Sequence, residues 1–263
     1  MDLYLAGKTV IVTGGGSNIG RSIVLTFAAE GANIVIADMD AVQGQKVARE
    51  ADDLGGKAIA IKTDVTNLES VADMVKKSLD EFGKLDVLVN NVGGTIDQLF
   101  MEKPRADMEK DVKLNFWGFI NTTRAVLDHM TEQKYGKIIS IGSDAGKMGE
   151  YREAVYAGCK GGIIAMSKSL ARELGRYGIN VNVVCPGLTV PDSPEQTGEL
   201  SMWKGPMAQA FTPELREKAA RAYPLRRIGK PEDVASMVVF LASDRASFIT
   251  GQTISVSGGY TMM

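Results

Sequence analysis

Short apolar runs rich in valine and isoleucine recur along the chain, with helical stretches between them. The runs are Lys8–Thr13, Asn33–Asp38, Lys57–Lys62, Leu85–Asn90, Lys137–Ile141, Asn180–Cys185 and Thr253–Ser257. Their length and β-branched content predict strands. Apolar character on both faces belongs to a parallel sheet covered by helices on each side, and the intervening segments are long enough for crossover helices. The pattern therefore predicts an α/β fold, a doubly wound seven-stranded parallel sheet of the Rossmann type.

No linker, charge block or fixed-period repeat divides the chain before residue 186, so a single domain over residues 1–263 is expected. The alternation breaks at Pro186–Pro231, which contains Pro191, Pro194, Pro206, Pro213 and Pro224 and is far longer than an ordinary strand-to-helix connection. We read it as a lid inserted after the sixth strand, about residues 187–230, at the sheet edge where ligands bind in such folds. Within it Pro213–Tyr223 has the proline-first start of a short helix.

Composition narrows the function. Thirty basic and thirty-two acidic residues give a formal charge of -2, so no overall positive field draws nucleic acid or an anionic membrane. Two cysteines, Cys159 and Cys185, provide neither a disulfide framework nor a metal cluster, which suits a reducing, cytoplasmic setting. The first residues lack the basic flank and apolar core of a signal peptide, and no apolar run approaches transmembrane length.

The first strand runs into Gly14-Gly15-Gly16-Ser17-Asn18-Ile19-Gly20, followed by a helix over Arg21–Glu30. A glycine-rich turn here lets backbone N–H groups and the helix N-terminus face a pyrophosphate. The G-x-G-x-x-G spacing is not met, because Ile19 holds the sixth position. Taken alone, the loop also suits a simple turn. Asp38, eighteen residues after Gly20, ends the second strand, where a carboxylate accepts from both adenosine ribose hydroxyls. Gly15, Met39 and Asp40 supply no cation for a 2′-phosphate, so NAD is expected over NADP. Asp64, after the third strand with Val65, is a candidate acceptor for the adenine amino group. Asn91 and Gly93 follow the fourth strand at the same edge.

Tyr156 and Lys160 are four residues apart, on one face of a helix. Tyrosine, with a pKa of about 10, is a poor base at neutral pH. An ammonium at ~4 Å favours the phenolate by up to about 4 kcal/mol at an effective dielectric of 20. Tyr156 then exchanges a proton with an alcohol or ketone oxygen while hydride moves at the carbon. Ser143, just past a strand, is placed to hold the substrate oxygen, and Asn115 to bind a water that links Lys160 to solvent. Singly, each of these residues is more simply a cap, a turn or a surface pair. His129, the one histidine, sits in an amphipathic helix and is expected to be structural.

With these residues in place, the chain resembles the short-chain dehydrogenase/reductase family over essentially its whole length. The family's T-G-x-x-x-G-x-G is similar to Thr13–Gly20, its N-N-A-G to Asn90–Gly93, and its Asn, Ser and Y-x-x-x-K to Asn115, Ser143 and Tyr156/Lys160. The resemblance implies that Lys160 also binds the nicotinamide ribose and that Pro186-Gly187 lies beside the nicotinamide. It further implies a homotetramer, with helices around Asn115 and Tyr156 packed across subunits. Two positions depart from the pattern. Asn18 replaces a glycine, a change asparagine tolerates in a left-handed conformation. Pro191 stands where many members carry a threonine for the carboxamide, leaving Thr189 as the substitute.

Three stretches, SDAGKMGEYREAVYAGCKGG, INVNVVCPG and FITGQTISVSGGYTMM, resemble 2-hydroxycyclohexanecarboxyl-CoA dehydrogenases of that family. The expected reaction is reversible NAD-dependent oxidation of a secondary alcohol, on a cyclic or bulky beta-hydroxyacyl-CoA. Alternatives are a free cyclic alcohol dehydrogenase, a 3-oxoacyl carrier-protein reductase and a non-catalytic NAD-sensing scaffold. Lys147, Arg152 and Lys204 flank the expected pocket as candidate partners for CoA phosphates or a carboxylate.

Overall fold

The computed structural model describes residues 2–204 and 211–263. The stretch of the expected lid at 205–210, Pro206 included, lies outside the described residues. Seven strands form one sheet: β1 (Thr9–Thr13), β2 (Asn33–Asp38), β3 (Lys57–Lys62), β4 (Val87–Asn90), β5 (Gly136–Ile141), β6 (Ile179–Pro186) and β7 (Thr253–Val256). Their order is β3-β2-β1-β4-β5-β6-β7 and every pairing is parallel. The expected strands are all present, with ends shifted by one or two residues.

The helices are α1 (Asn18–Ala29), α2 (Ala41–Asp53), α3 (Leu68–Phe82), α4 (Arg105–Val112), α5 (Gly118–Gln133), α6 (Ala145–Met148), α7 (Ala154–Leu174), α8 (Pro213–Ala220) and α9 (Pro231–Ala242). Side chains alternate across the strands, so each strand feeds two cores. In β1, Val10 and Val12 pack with Ile23 and Phe27 of α1, Val47 of α2 and Val238 of α9. Ile11 faces the other way, among Val71 and Met74 of α3, Val126 of α5 and Ile163 of α7. Burying each such side chain contributes roughly 1.5–3 kcal/mol. That makes the sheet a rigid floor for whatever its edge carries. His129 is structural, as expected: its Nε2 accepts from the Leu85 N–H at 3.1 Å.

From β1 the chain winds outward through β2 and β3, then returns to the other side of β1 with β4. The strand order reverses between β1 and β4, and a crevice opens beyond their carboxyl ends, where doubly wound folds bind ligands. The glycine loop follows β1 and Asn91–Gly93 follows β4, so both line this crevice.

Candidate active site

The glycine loop is drawn tight. Gly14 has φ 64° and Asn18 φ 47°, so asparagine occupies the left-handed conformation expected of it. A Cβ on Gly20 would lie 2.0 Å from the Gly14 carbonyl oxygen, which only glycine avoids. Asn91 staples the turn from the β4 side, its Nδ2 donating to Thr13 O and Gly14 O at 3.0 Å each. The Asn91 side chain is thereby committed to shaping the loop. Thr13 Oγ1 accepts from the Asn91 N–H, a role the motif's first letter did not announce.

A phosphate-bearing dinucleotide fits this cradle. Asp40 caps α2 and Asn67 caps α3, but α1 begins at Ser17 without a side-chain cap, so its N-terminal N–H groups are open to an anion. Asn18 Oδ1 is buried without a partner at the same place. Asp38 Oδ2 accepts from the Gly16 N–H at 2.9 Å and Oδ1 from the Asp40 N–H at 2.9 Å. Burial raises the Asp38 carboxyl above its ordinary range, while these two bonds from Asp40 and Gly16 draw it down. Asp64 Oδ1 accepts from the Thr66 N–H and hydroxyl, which fixes the turn after β3. Val65 is buried against Gly118, and its carbonyl accepts from Asn121.

Across the crevice, α7 carries Tyr156 and Lys160. Lys160 is fully buried, its Nζ donates to Ile141 O at 2.8 Å and lies 5.5 Å from the Tyr156 ring centroid. Gly93 lets it through, because a Cβ there would meet Asn115 Oδ1 at 2.8 Å and Lys160 Nζ at 2.9 Å. Ser143, two residues past β5, accepts from the Ala145 N–H and faces the phenol. Asn115, Ser143, Tyr156 and Lys160 thus meet at the sheet edge beside Gly93.

Three expectations need correction. Burial pushes the Tyr156 phenol well above its ordinary range, Glu153 adds to the push, and Ser143 works against it. Burial likewise pulls the Lys160 ammonium down to about 8. Desolvation therefore sets the direction for both groups. Asn115 sits in a π-helical turn, Lys113–Trp117, between α4 and α5. Its Nδ2 donates to Gly94 O and Asp111 O, and its Oδ1 accepts from Gly94 N, so both ends of the amide are engaged by backbone rather than left for water. Finally, the three cations have partners within the chain. Lys147 turns to Ser255 Oγ and the Met263 carbonyl oxygen, Lys204 pairs with Glu199, and Arg152 donates to Asp97 O.

Carboxylates take their place at the mouth. Burial raises the Glu153 carboxyl to about 7, with Asp97 and Glu150 adding and Lys103 opposing. The three-residue spacing from Glu153 to Tyr156 was visible in the sequence, but its half-burial was not. The lid follows β6. Pro186 ends the strand, and a Cβ on Gly187 would meet Ser257 and Tyr223 at 3.1 Å each. Thr189 is buried, donates to Gly187 O at 3.1 Å and bridges to Gly229. Pro191 offers only its carbonyl, which accepts from Arg216.

A doubly wound sheet with an uncapped glycine loop, and a tyrosine, lysine, serine and asparagine gathered beside it, defines a nicotinamide-dinucleotide oxidoreductase. Residues 14–261 match the family profile described as enoyl-(acyl carrier protein) reductase. The 3-oxoacyl-[acyl-carrier-protein] reductase FabG of Thermotoga maritima is 35% identical over 98% of this chain and 99% of its own length. The FabG of Staphylococcus aureus strain Mu50 is 38% identical over 97% and 98%. A solved 7α-hydroxysteroid dehydrogenase, complexed with NADH and 7-oxo glycochenodeoxycholic acid, superposes with TM-score 0.88 at 33% identity, covering 98% of this chain and 96% of that one. A 3-ketoacyl-(acyl-carrier-protein) reductase from Brucella melitensis, complexed with NADH, gives 0.86 at 30%, covering 98% and 100%. The chain belongs to the short-chain dehydrogenase/reductase family and is an oxidoreductase of that kind, dependent on NAD or NADP.

Proposed function

We propose that the chain interconverts a ketone and a secondary alcohol β to a thioester, with NAD as its dinucleotide. The gathering of Tyr156, Lys160, Ser143 and Asn115 at the crevice that also carries the glycine loop is the observation that carries this reading. The cofactor supplies or accepts the hydride. Ser143 Oγ holds the substrate oxygen, and Tyr156 Oη gives it a proton in reduction or takes one in oxidation. With its phenol held up by burial, Tyr156 is protonated at neutral pH, the form that ketone reduction requires. Lys160, fixed on Ile141 O, orients the phenol and would hold the nicotinamide ribose when the dinucleotide is bound. Asn115 ties Gly94 to Asp111 and so fixes the wall beside Gly93. Backbone N–H groups of Ser17, Asn18, Ile19 and Gly20 would hold the pyrophosphate. Gly14, Asn91, Gly93, Pro186, Gly187 and Thr189 shape the rest of the groove, and Asp64 with Val65 would border the adenine.

The NAD preference rests on the half-buried Asp38 carboxylate beside Gly16, which a 2′-phosphate would confront directly. For the substrate, the named reductase relatives favour an acyl chain on a carrier protein. The three stretches resembling 2-hydroxycyclohexanecarboxyl-CoA dehydrogenases favour a ring-bearing acyl-CoA. A carbonyl β to a thioester is common to both. A homotetramer is part of the same reading, supported by exposed Leu68, Phe100 and Trp117 around an open apolar cavity of ≈ 830 Å³ that Met108, Val112 and Val155 also line. The two buried free cysteines suit a reducing cytoplasm. No helix among the described residues is long and apolar enough to cross a membrane.

The deciding experiment measures turnover with NAD(H) and NADP(H) on 3-oxoacyl-carrier protein, straight-chain and alicyclic beta-hydroxyacyl-CoA, a free cyclic alcohol and a hydroxysteroid. Activity on a thioester with NAD(H) at least tenfold above all free alcohols supports the proposal. Hydroxysteroid turnover without thioester turnover overturns the substrate, and preferred NADP(H) overturns the cofactor. Chromatography with light scattering decides the tetramer.

A further inference from the structure

Three carboxylates, Glu153, Asp97 and Glu150, gather beside the reacting phenol. Glu153 precedes α7 as its N-cap residue, three positions before Tyr156, so both side chains rise from one face of the same helical end. The first turn is closed there by Ala157 N donating to Glu153 O at 2.7 Å. Opposite lies the segment after Asn91–Gly93. It is knitted to the start of α7 by Gln98 N donating to Arg152 O at 3.0 Å and Arg152 Nη2 donating to Asp97 O at 2.9 Å. These two bonds bring Asp97 alongside Glu153. Glu150 completes the rim, its Oε2 accepting from the Tyr260 hydroxyl at 3.0 Å.

The nearby cations offset the charge of these carboxylates only in part. Lys103 Nζ is bound by Asp111, Thr95 Oγ1 and Ile96 O, and Arg152, which donates Nη2 to the Asp97 carbonyl and keeps its charge, opposes Asp97. Among the described residues no salt bridge reaches Asp97, Glu150 or Glu153. Water is partly excluded here, so the repulsion is less screened than at an open surface. We propose that Glu153, backed by Asp97, is a specificity-determining residue that rejects substrates bearing a negative charge close to the reacting carbon and admits neutral ones such as thioesters. This inference rests on the reaction proposed for the same site. It assigns the selection of thioester over free acid to a named side chain. A carrier's phosphates, a long pantetheine arm away, lie beyond its reach.

The test compares two compounds with the same ketone and opposite charge status, ethyl acetoacetate and acetoacetate, on the whole protein with NADH. In the native protein at pH 8 the ester should exceed the free acid in kcat/KM by about a hundredfold. In Glu153→Gln that gap should shrink at least tenfold through acetoacetate's KM. Acidification to pH 6 should shrink it in the native protein, as Glu153 takes up a proton while acetoacetate stays ionised, but should leave the variant's ratio flat. A merely structural Glu153 would alter both compounds alike. An unchanged ratio with measurable turnover overturns this inference alone. No turnover of either compound, together with failure on every thioester, overturns the reaction it rests on and the inference with it.

Discussion

The Gly198 N–H donates to the Ser17 hydroxyl at 2.8 Å, joining the lid to the first residue of the nucleotide helix turn across 181 positions of chain. Two further bonds repeat the contact: Glu199 N donates to Asp40 Oδ2 at 3.0 Å, and Lys46 Nζ donates to Glu195 O at 3.1 Å. This part of the lid is therefore docked on the adenosine end of the crevice. A Cβ on Gly198 would lie 2.7 Å from Asp40 Oδ2 and 2.8 Å from Gln43 Cγ. Neither neighbour yields easily, because Asp40 caps α2 and Gln43 Nε2 donates to Gly16 O. Gly198→Val should lift the lid and speed NADH release several-fold in stopped-flow fluorescence, with thermal stability nearly unchanged. An unaltered release rate would show that the contact does not govern the cofactor.

Asp38 offers a second test at the same end. Its carboxylate is pinned by two N–H groups, and a Cβ at Gly16 would sit 2.9 Å from Oδ2, so no cation can be fitted there. Asp38→Ala removes both the ribose acceptor and the repulsion of a 2′-phosphate. Efficiency with NAD should fall and with NADP should rise, each by about tenfold, or roughly 1.4 kcal/mol apiece. Equal losses with both cofactors would mean that Asp38 only shapes the turn.

The fold was legible because alternation along β1, β2 and β6 serves two cores at once, and a valine-rich run buried on both faces has few other uses. The site was legible as a set of types and spacings. What those residues touch was not. Asn115 owes its three bonds to a π-helical turn and to Gly94, twenty-one positions away, and no local pattern encodes either. The pKa directions of Tyr156 and Lys160 depend on how completely the protein surrounds them. The lid's docking on Ser17 joins segments with no shared periodicity.

Glu153 should leave a signature in stability as well as in specificity. Its folded-state pKa is raised to about 7 from an ordinary 4.5, so between those values the folded chain holds more protons than the unfolded one. Stability must then fall as pH rises from 4.5 to 7. Glu153→Gln removes that loss. Partial exposure discounts the gain to on the order of 1 kcal/mol, or about 2–4 °C in Tm. Melting curves should show the variant more stable than the native chain at pH 8 and no more stable at pH 4.5. A constant difference across this range would refute the assignment.

Lys160 sets function against stability most directly. It is fully buried with one hydrogen bond, to Ile141 O, and its folded-state pKa is pulled down to about 8 from 10.5. Below pH 8 both folded and unfolded chains carry the proton, and the folded chain bears the full cost of a buried charge. Between 8 and 10.5 the unfolded state binds more protons, so the native protein gains stability as pH rises. Lys160→Met keeps much of the volume without the charge and should raise stability at pH 7 by on the order of 2 kcal/mol, after allowing for the lost bond to Ile141. That advantage should fade between pH 8 and 10.5. The same variant should lose turnover by at least a thousandfold and bind NADH more weakly. Tyr156→Phe should lose turnover equally but keep NADH affinity, because it deletes the proton-transfer oxygen and retains the ring. Kinetics, NADH titration and melting curves on the two variants separate these roles. A Lys160→Met protein that is inactive, binds NADH normally and melts lower at pH 7 would show that the lysine serves packing rather than cofactor and charge.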